Sequence, residues 1–174
     1  VVYSGFARDD GMWDIEAALI DVKTYSFVIP SQDAREAGQP IHDLSIRLTV
    51  DDQFIIHDVL TEMAHRPHPE CDQAPQGMHQ LIGCKLSAGW RKAIDARIGG
   101  VAGCTHLREM LFNMATAAYQ TIPSALQFRN QQAGLPEEVP TTPPPHVGKC
   151  MSWALDGPVV QRHYPMFYQK PNNA

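Results

Sequence analysis

The segment Leu44-Ser45-Ile46-Arg47-Leu48-Thr49-Val50 constrains the fold more than any other. Apolar and polar residues alternate along it without a break. In an extended chain, successive side chains point to opposite faces. Leu44, Ile46, Leu48 and Val50 therefore share one face, and Ser45, Arg47 and Thr49 the other. A helix would scatter the four aliphatic residues around its circumference, so the pattern selects a strand with one buried face. Phe54 to Leu60 (FIIHDVL) is a second strand-like run. The Asp51-Asp52 pair between the two predicts a two-residue turn and an antiparallel hairpin.

Trp13 to Ile20 (WDIEAALI) begins in near alternation and follows a turn at Asp9-Asp10-Gly11. Thr24 to Pro30 is a further aromatic and β-branched run. Gln32 to Pro40 is polar and reads as a loop, as does His65 to Gln76 with its three prolines. From Leu81 the period becomes helical. Trp90, Ala93, Ile94 and Ile98 share a face, and Gly99-Gly100 ends that helix. A second helix is predicted from about Thr105 to Ile122, with Pro123 as its stop. The proline-rich stretch 135–147 is expected to lack regular structure. Met151 to Tyr168 carries a strand-like Val159-Val160 and many aromatics, which are expected to pack back on the body. The expectation is α+β: one domain over 1–174, with a curved antiparallel sheet, two consecutive helices packed on it and an extended C-terminal return.

Composition narrows the function. The chain is 44% hydrophobic and 19% charged, enough apolar material for a core. A net charge of −5 without Lys/Arg runs argues against nucleic acid and against an anionic membrane surface. No apolar run approaches a membrane span. Cys71, Cys84, Cys104 and Cys150 form no C-x-x-C pair. The N-terminal stretch has no basic-then-apolar leader pattern, so a cytoplasmic protein with reduced thiols is expected.

Chemistry concentrates at GGVAGCTHLREM, residues 99–110. On the helix that follows, Leu107, Met110, Leu111, Met114, Ala117, Ala118 and Ile122 form an apolar face. His106, Glu109, Asn113, Thr116 and Gln120 form a narrow polar stripe beside it. Phe112, Ala115 and Tyr119, with Arg108 among them, lie beyond. A polar stripe between two apolar flanks predicts a helix buried on most of its circumference, against the sheet and against the tail or a second subunit, hence a homo-oligomer. Its bland reading is an internal hydrogen-bond network or a solvent-facing stripe. Thr105 is a good N-cap whatever the function. At the positive end of the helix, the field favours a more acidic Cys104 thiol and a neutral His106. C-x-H also supplies two metal ligands, to which Cys71 and Cys150 are the candidate additions. Of the other polar groups, His42-Asp43 offers a base beside the strongest strand. Asp14, Glu16, Asp21 and Lys23 read mainly as a solvated strand face with cross-strand pairs. His57, Asp58, His65 and His68 read as surface residues.

The motifs RDDGMWDIEAALIDVKTY, IHDLSIRLTVDD, HPEC, LIGCKLSAGWR, GGVAGCTHLREML and CMSWALDGPVV, in this order, are similar to those of a bacterial family catalogued as domain of unknown function 2889. The resemblance runs over nearly the whole chain. It departs at Ala17-Ala18, where the family more often has Gly-His, at Leu44, where it often has Met, and at Met110, where it often has Leu. Its members occur in bacteria that degrade aromatic compounds, steroids and lignin-derived dimers. The resemblance therefore implies a catabolic enzyme for a large, flat, apolar substrate.

The leading expectation is a cofactor-independent lyase acting by proton transfer on an aromatic, lignin-derived substrate, for instance with loss of a hydroxymethyl group as formaldehyde. Such a reaction needs a base for a hydroxyl proton and a cation for the phenolate. His106 or His42 is the base, Glu109 orients His106, Arg47 or Lys23 holds the anion, and Cys104 is support or acid. Trp13, Asn113, Tyr119 and Gln120 are the substrate-binding candidates. The rivals are a metal-dependent hydrolase or lyase using Cys104, His106, Cys71 and Cys150, and a non-enzymatic ligand-binding subunit.

Overall fold

The computed structural model describes residues 1–30, 34–136 and 139–171. The chain forms two compact units, Val1–Arg129 and Asn130–Ala174.

The first unit is an α+β fold built on a four-stranded antiparallel sheet. Its strands are β1 (Val2–Ala7), β2 (Trp13–Val22), β5 (Pro40–Val50) and β6 (Ile56–His65), in the spatial order β1-β2-β5-β6. Alternation sets the pairing, because a slip of one residue would turn every aliphatic side chain to the wrong face. Ile15 stands opposite Leu48, Ala17 opposite Ile46 and Leu19 opposite Leu44. Leu44, Ile46, Leu48 and Val50 are all buried. Onto this face pack α1 (Trp90–Ile98), which buries Trp90, Ile94 and Ile98, and α2 (Thr105–Gln132), which buries Leu107, Met110, Leu111, Met114, Ala118 and Ile122. The Trp90 indole N–H donates to the Leu111 carbonyl at 2.7 Å and ties the two helices together.

Several expectations are corrected. β1 carries no sequence signal of its own, because Val2–Ala7 lacks the alternation that marks β5. It pairs with β2 across the Asp9-Asp10-Gly11 turn, Tyr3 opposite Ala17. The β5–β6 connection is longer than two residues: Val50 pairs with Ile56. Asp51 shapes this loop by accepting from the N–H groups of Gln53 and Ile55, and Phe54 adopts a left-handed conformation at φ 65°. The run from Thr24 yields only the short β3 (Phe27–Val28), paired with β4 (Ala34–Arg35) inside the stretch expected to be loop. Gln32 and Asp33 lie outside the described residues. The proline-bearing segment after His65 is not plain loop but a run of 3-10 turns over Pro69–Leu81, anchored by buried Met78 and Leu81. Pro123 does not stop α2, which continues to Gln132. Ala125 and Leu126 extend the apolar stripe of Ala118 and Ile122 and pack on the core. That packing outweighs the lost N–H and the ring clash, about 3 kcal/mol.

In the second unit Val159-Val160 is helical, within α3 (Pro158–His163). Pro158 stands in its first turn, where a missing N–H costs no hydrogen bond. Val147 and Val160 are buried, and the rings of His146 and Trp153 meet edge to face with centroids 4.4 Å apart. The described part of 135–147 contains no helix or strand, as expected.

Candidate functional site

The inward alternation of β2 and β5 ends in polar residues. Asp21 continues the inner face of Ile15, Ala17 and Leu19, and His42 continues that of Leu44. The register places Asp21 and His42 directly opposite each other, at a bulge. There the carboxylate takes over part of the strand ladder. Asp21 Oδ1 accepts from the His42 backbone N–H at 2.6 Å, and His42 Nδ1 lies 3.1 and 3.0 Å from the two carboxylate oxygens. His42 is buried, whereas Asp21 is partly open. Burial works to raise the Asp21 pKa, but the hydrogen bonds from the His42 ring and backbone outweigh it, so the group sits below the ordinary carboxylate value. An ionised carboxylate can only accept. Nδ1 of His42 therefore carries the proton, and a neutral His42 ring keeps its lone pair on Nε2.

The front of α2 brings in the second imidazole. Gly103 is fixed by space: a Cβ there would lie 2.3 Å from the Ile98 carbonyl oxygen. The chain thus leaves α1 closely packed and enters α2 through Cys104, whose carbonyl accepts the first helical bond, from Arg108 at 3.0 Å. Cys104 is the N-cap, and Thr105 is the first helical residue. His106 then lies over His42, with ring centroids 3.8 Å apart and planes tilted by 35°. Its Nδ1 is 3.8 Å from Cys104 Sγ. Burial lowers the His106 pKa, the charge of His42 lowers it further, and Asp21 partly opposes them. Two stacked imidazoles cannot readily carry two positive charges, so when one ring is an imidazolium the other stays a neutral base.

Asp21, His42 and His106 also form the one set of three His, Cys, Asp or Glu residues, among those described, whose ligand atoms lie within 4.8 Å of one another. A mixed carboxylate–imidazole set suits a divalent transition metal. Next to it, a hollow of about 660 Å³ is lined by Cys104, Cys71 and His68.

The structure gathers His42, His106 and Cys104 and disperses the remaining candidates. Glu109 is exposed, and no hydrogen bond from its carboxylate to His106 occurs among the described residues. Arg47 is on the outer face of the sheet, its Nε 2.7 Å from Glu16 Oε1. Lys23 lies over the Phe27 ring, 4.1 Å from its centroid. Trp13 pairs with Val50 at the far end of the sheet, roughly 27 Å along the strand from His42, and donates to Asp52. Tyr119 stacks on Phe54 at 4.4 Å, Asn113 contacts Tyr3, and Gln120 is exposed about 21 Å along the helix from His106. The stripe of Glu109, Asn113, Thr116 and Gln120 faces solvent in this chain, in place of the burial expected for it, because Phe112 and Ala115 beside it pack against the chain's own core. Of the proposed metal ligands, Cys71 shares the hollow with Cys104, and Cys150 is exposed in the second unit. Asp21, expected on a solvated strand face, instead turns inward to His42. Its one signal was the odd-numbered inner alternation of β2, which carries it round to His42.

The chain belongs to the family described as Protein of unknown function (DUF2889), whose profile matches residues 1–120 of 174. No curated protein and no solved structure matches it.

Proposed function

We propose that this member of the family is a carbon–carbon lyase that cleaves a hydroxymethyl group as formaldehyde from an aromatic, lignin-derived substrate, working by proton transfer. The observation that carries this reading is the Asp21–His42–His106 cluster. It unites a carboxylate-held imidazole with a second imidazole that burial keeps unprotonated near neutrality. In the reaction a neutral imidazole takes the hydroxyl proton. The carbon–oxygen double bond of formaldehyde forms as the carbon–carbon bond breaks. The released electron pair forms a carbon–carbon double bond as an aryl oxide leaves the next carbon, and the proton returns to that oxide. His106 is the assigned base, since its pKa is held down. Asp21 fixes the tautomer and position of His42, which shares the proton. The hollow lined by Cys104 and His68 is large enough for aromatic rings.

The test is formaldehyde release by the purified protein on a panel of phenolic dimers bearing a hydroxymethyl group. Release that disappears in His106→Asn and His42→Asn, with the fold intact, is the expected result. No release by folded wild-type protein across the panel overturns it.

A second reading, a metal-dependent lyase or hydrolase, is favoured by the convergence of the three ligand atoms. The ion would sit on Asp21, His42 and His106, with the thiol of Cys104 beside it, and not on the cysteine set. Elemental analysis of protein purified without a His-tag column separates the two. Less than about a tenth of an equivalent of bound metal removes this second reading, and about one equivalent favours it.

A further inference from the structure

We propose that Arg35 is the anion-holding residue of this site and that the hollow it lines receives an anionic oxygen group, a carboxylate or an aryl oxide, on an aromatic ligand. The aromatic part of this assignment rests on the lyase reading; the anionic part does not. Arg47 is paired with Glu16 on the opposite face of the sheet, and Lys23 is engaged by two aromatic rings. Neither supplies a cation beside His42. Arg35 does. It is half-buried at the end of β4, and its guanidinium donates to the carbonyls of Pro40, Ile41 and Arg66. Ile41 immediately precedes His42, so these bonds fix the cation at the edge of the cluster.

The decisive feature is charge. Arg8, Arg47, Arg66 and Arg108 each hold a carboxylate. Arg35 is held by carbonyl groups, which cancel no net charge, and among the described residues no carboxylate pairs with it. It lines an open hollow of about 240 Å³ together with His65, Arg66 and His68, with the apolar Ala64 and Pro69 on its wall. Of the charges around it, Asp72 is taken up by Arg66 and Asp43 faces His65 at 3.7 Å, so Arg35 is the cation there without a carboxylate of its own among the described residues. Its three carbonyl bonds leave N–H donors of the five-donor guanidinium free for an incoming oxygen. His68 lines both this recess and the larger hollow that reaches Cys104. A ligand with its anion at Arg35 can therefore lay its rings along His68 toward the stacked imidazoles.

The experiment is a binding titration of the full chain with benzoate, with 4-nitrophenolate above its pKa, and with neutral benzamide, followed by the Arg35 side-chain N–H signal in NMR. The expected result is at least tenfold tighter binding of one or both anions than of benzamide, weakened by salt, with the Arg35 signal shifting on saturation. Which anion is preferred identifies the group. Arg35→Lys should keep part of the preference and Arg35→Met should abolish it. Because Arg35→Met also frees three carbonyls and can loosen the corner, the wild-type comparison decides by itself. Equal affinities for anions and benzamide, or an Arg35 signal unmoved at saturation, overturn the proposal. Formaldehyde release plays no part in this readout, so the lyase reading can fail while the anion site stands, and the reverse.

Discussion

Asp21 and His42 are an aspartate and a histidine that a sequence reading can place only on separate strands. Their pairing depends on the full β2–β5 register: alternation fixes which faces meet but leaves slips of two residues open, and β3 and β4 intervene between the two strands. His106 and Cys104 were legible because a helix front with chemistry-bearing residues is a local signal. Glu109 shared that signal, but the helix turns its carboxylate to solvent. The coupling within the cluster can be tested at Asp21. Asp21→Asn preserves size and removes charge. Under the lyase reading, formaldehyde release should fall by about 10²- to 10⁴-fold, the usual worth of acid–base catalysis. The His106 titration midpoint followed by NMR should also move lower still, because Asp21 is the group that raises it against burial and His42. A midpoint that stays or rises would show that the carboxylate is not electrostatically joined to the second ring. Thermal stability should fall modestly: the ionised carboxylate held by His42 contributes some of it, and its partial exposure keeps the loss small.

At the level of elements, the strands with strict alternation and the helices with long apolar stripes were readable, because burying one face leaves few other solutions. The segments that escaped are those whose local preference is overruled or absent. β1 is one, and its place is set by α2: a Cβ on Gly5 would meet Thr121 Oγ1 at 2.2 Å and Thr121 Cβ at 2.7 Å. Gly5→Ala should therefore push the strand from the helix and destabilise the first unit by about 1–3 kcal/mol, as overpacking does. A melting temperature equal to wild type would mean that the β1–α2 contact is loose. Pro123 is the other case. Since α2 runs through it, the proline withholds the N–H that the Tyr119 carbonyl would accept. Pro123→Ala should restore that bond and stabilise the protein by up to about 3 kcal/mol, read as a higher urea midpoint. A lower midpoint would show that the core needs a bend at this position.

On the scale of the whole chain, the two units share a susceptibility to acid. His106 in the first and His146 in the second both have pKa values lowered mainly by burial, and no carboxylate is hydrogen-bonded to either ring among the described residues. In the unfolded chain an imidazole titrates near about 6.5. As pH falls through that value, the unfolded state takes up protons that the folded state resists until its own lower pKa is reached, so stability is lost in that window. Asp21 and Asp51 act with the opposite sign but elsewhere. Their lowered pKa values contribute stability at every pH above the ordinary carboxylate range, and it is lost only as pH falls through the folded values. Between about pH 7.5 and 5 the shifted imidazoles therefore set the trend. Denaturant midpoints should fall across that interval. His106→Asn, neutral at every pH, should flatten the fall for the first unit and leave the second unchanged. Trp13 and Trp90 report the first unit and Trp153, beside His146, the second, so Trp153→Phe protein followed by fluorescence isolates the first transition. A first-unit midpoint that is level or rises on acidification would mean that His106 takes up its proton without cost when folded. The stacked imidazoles would then already be able to carry two charges, and His106 would lose its standing as the neutral base.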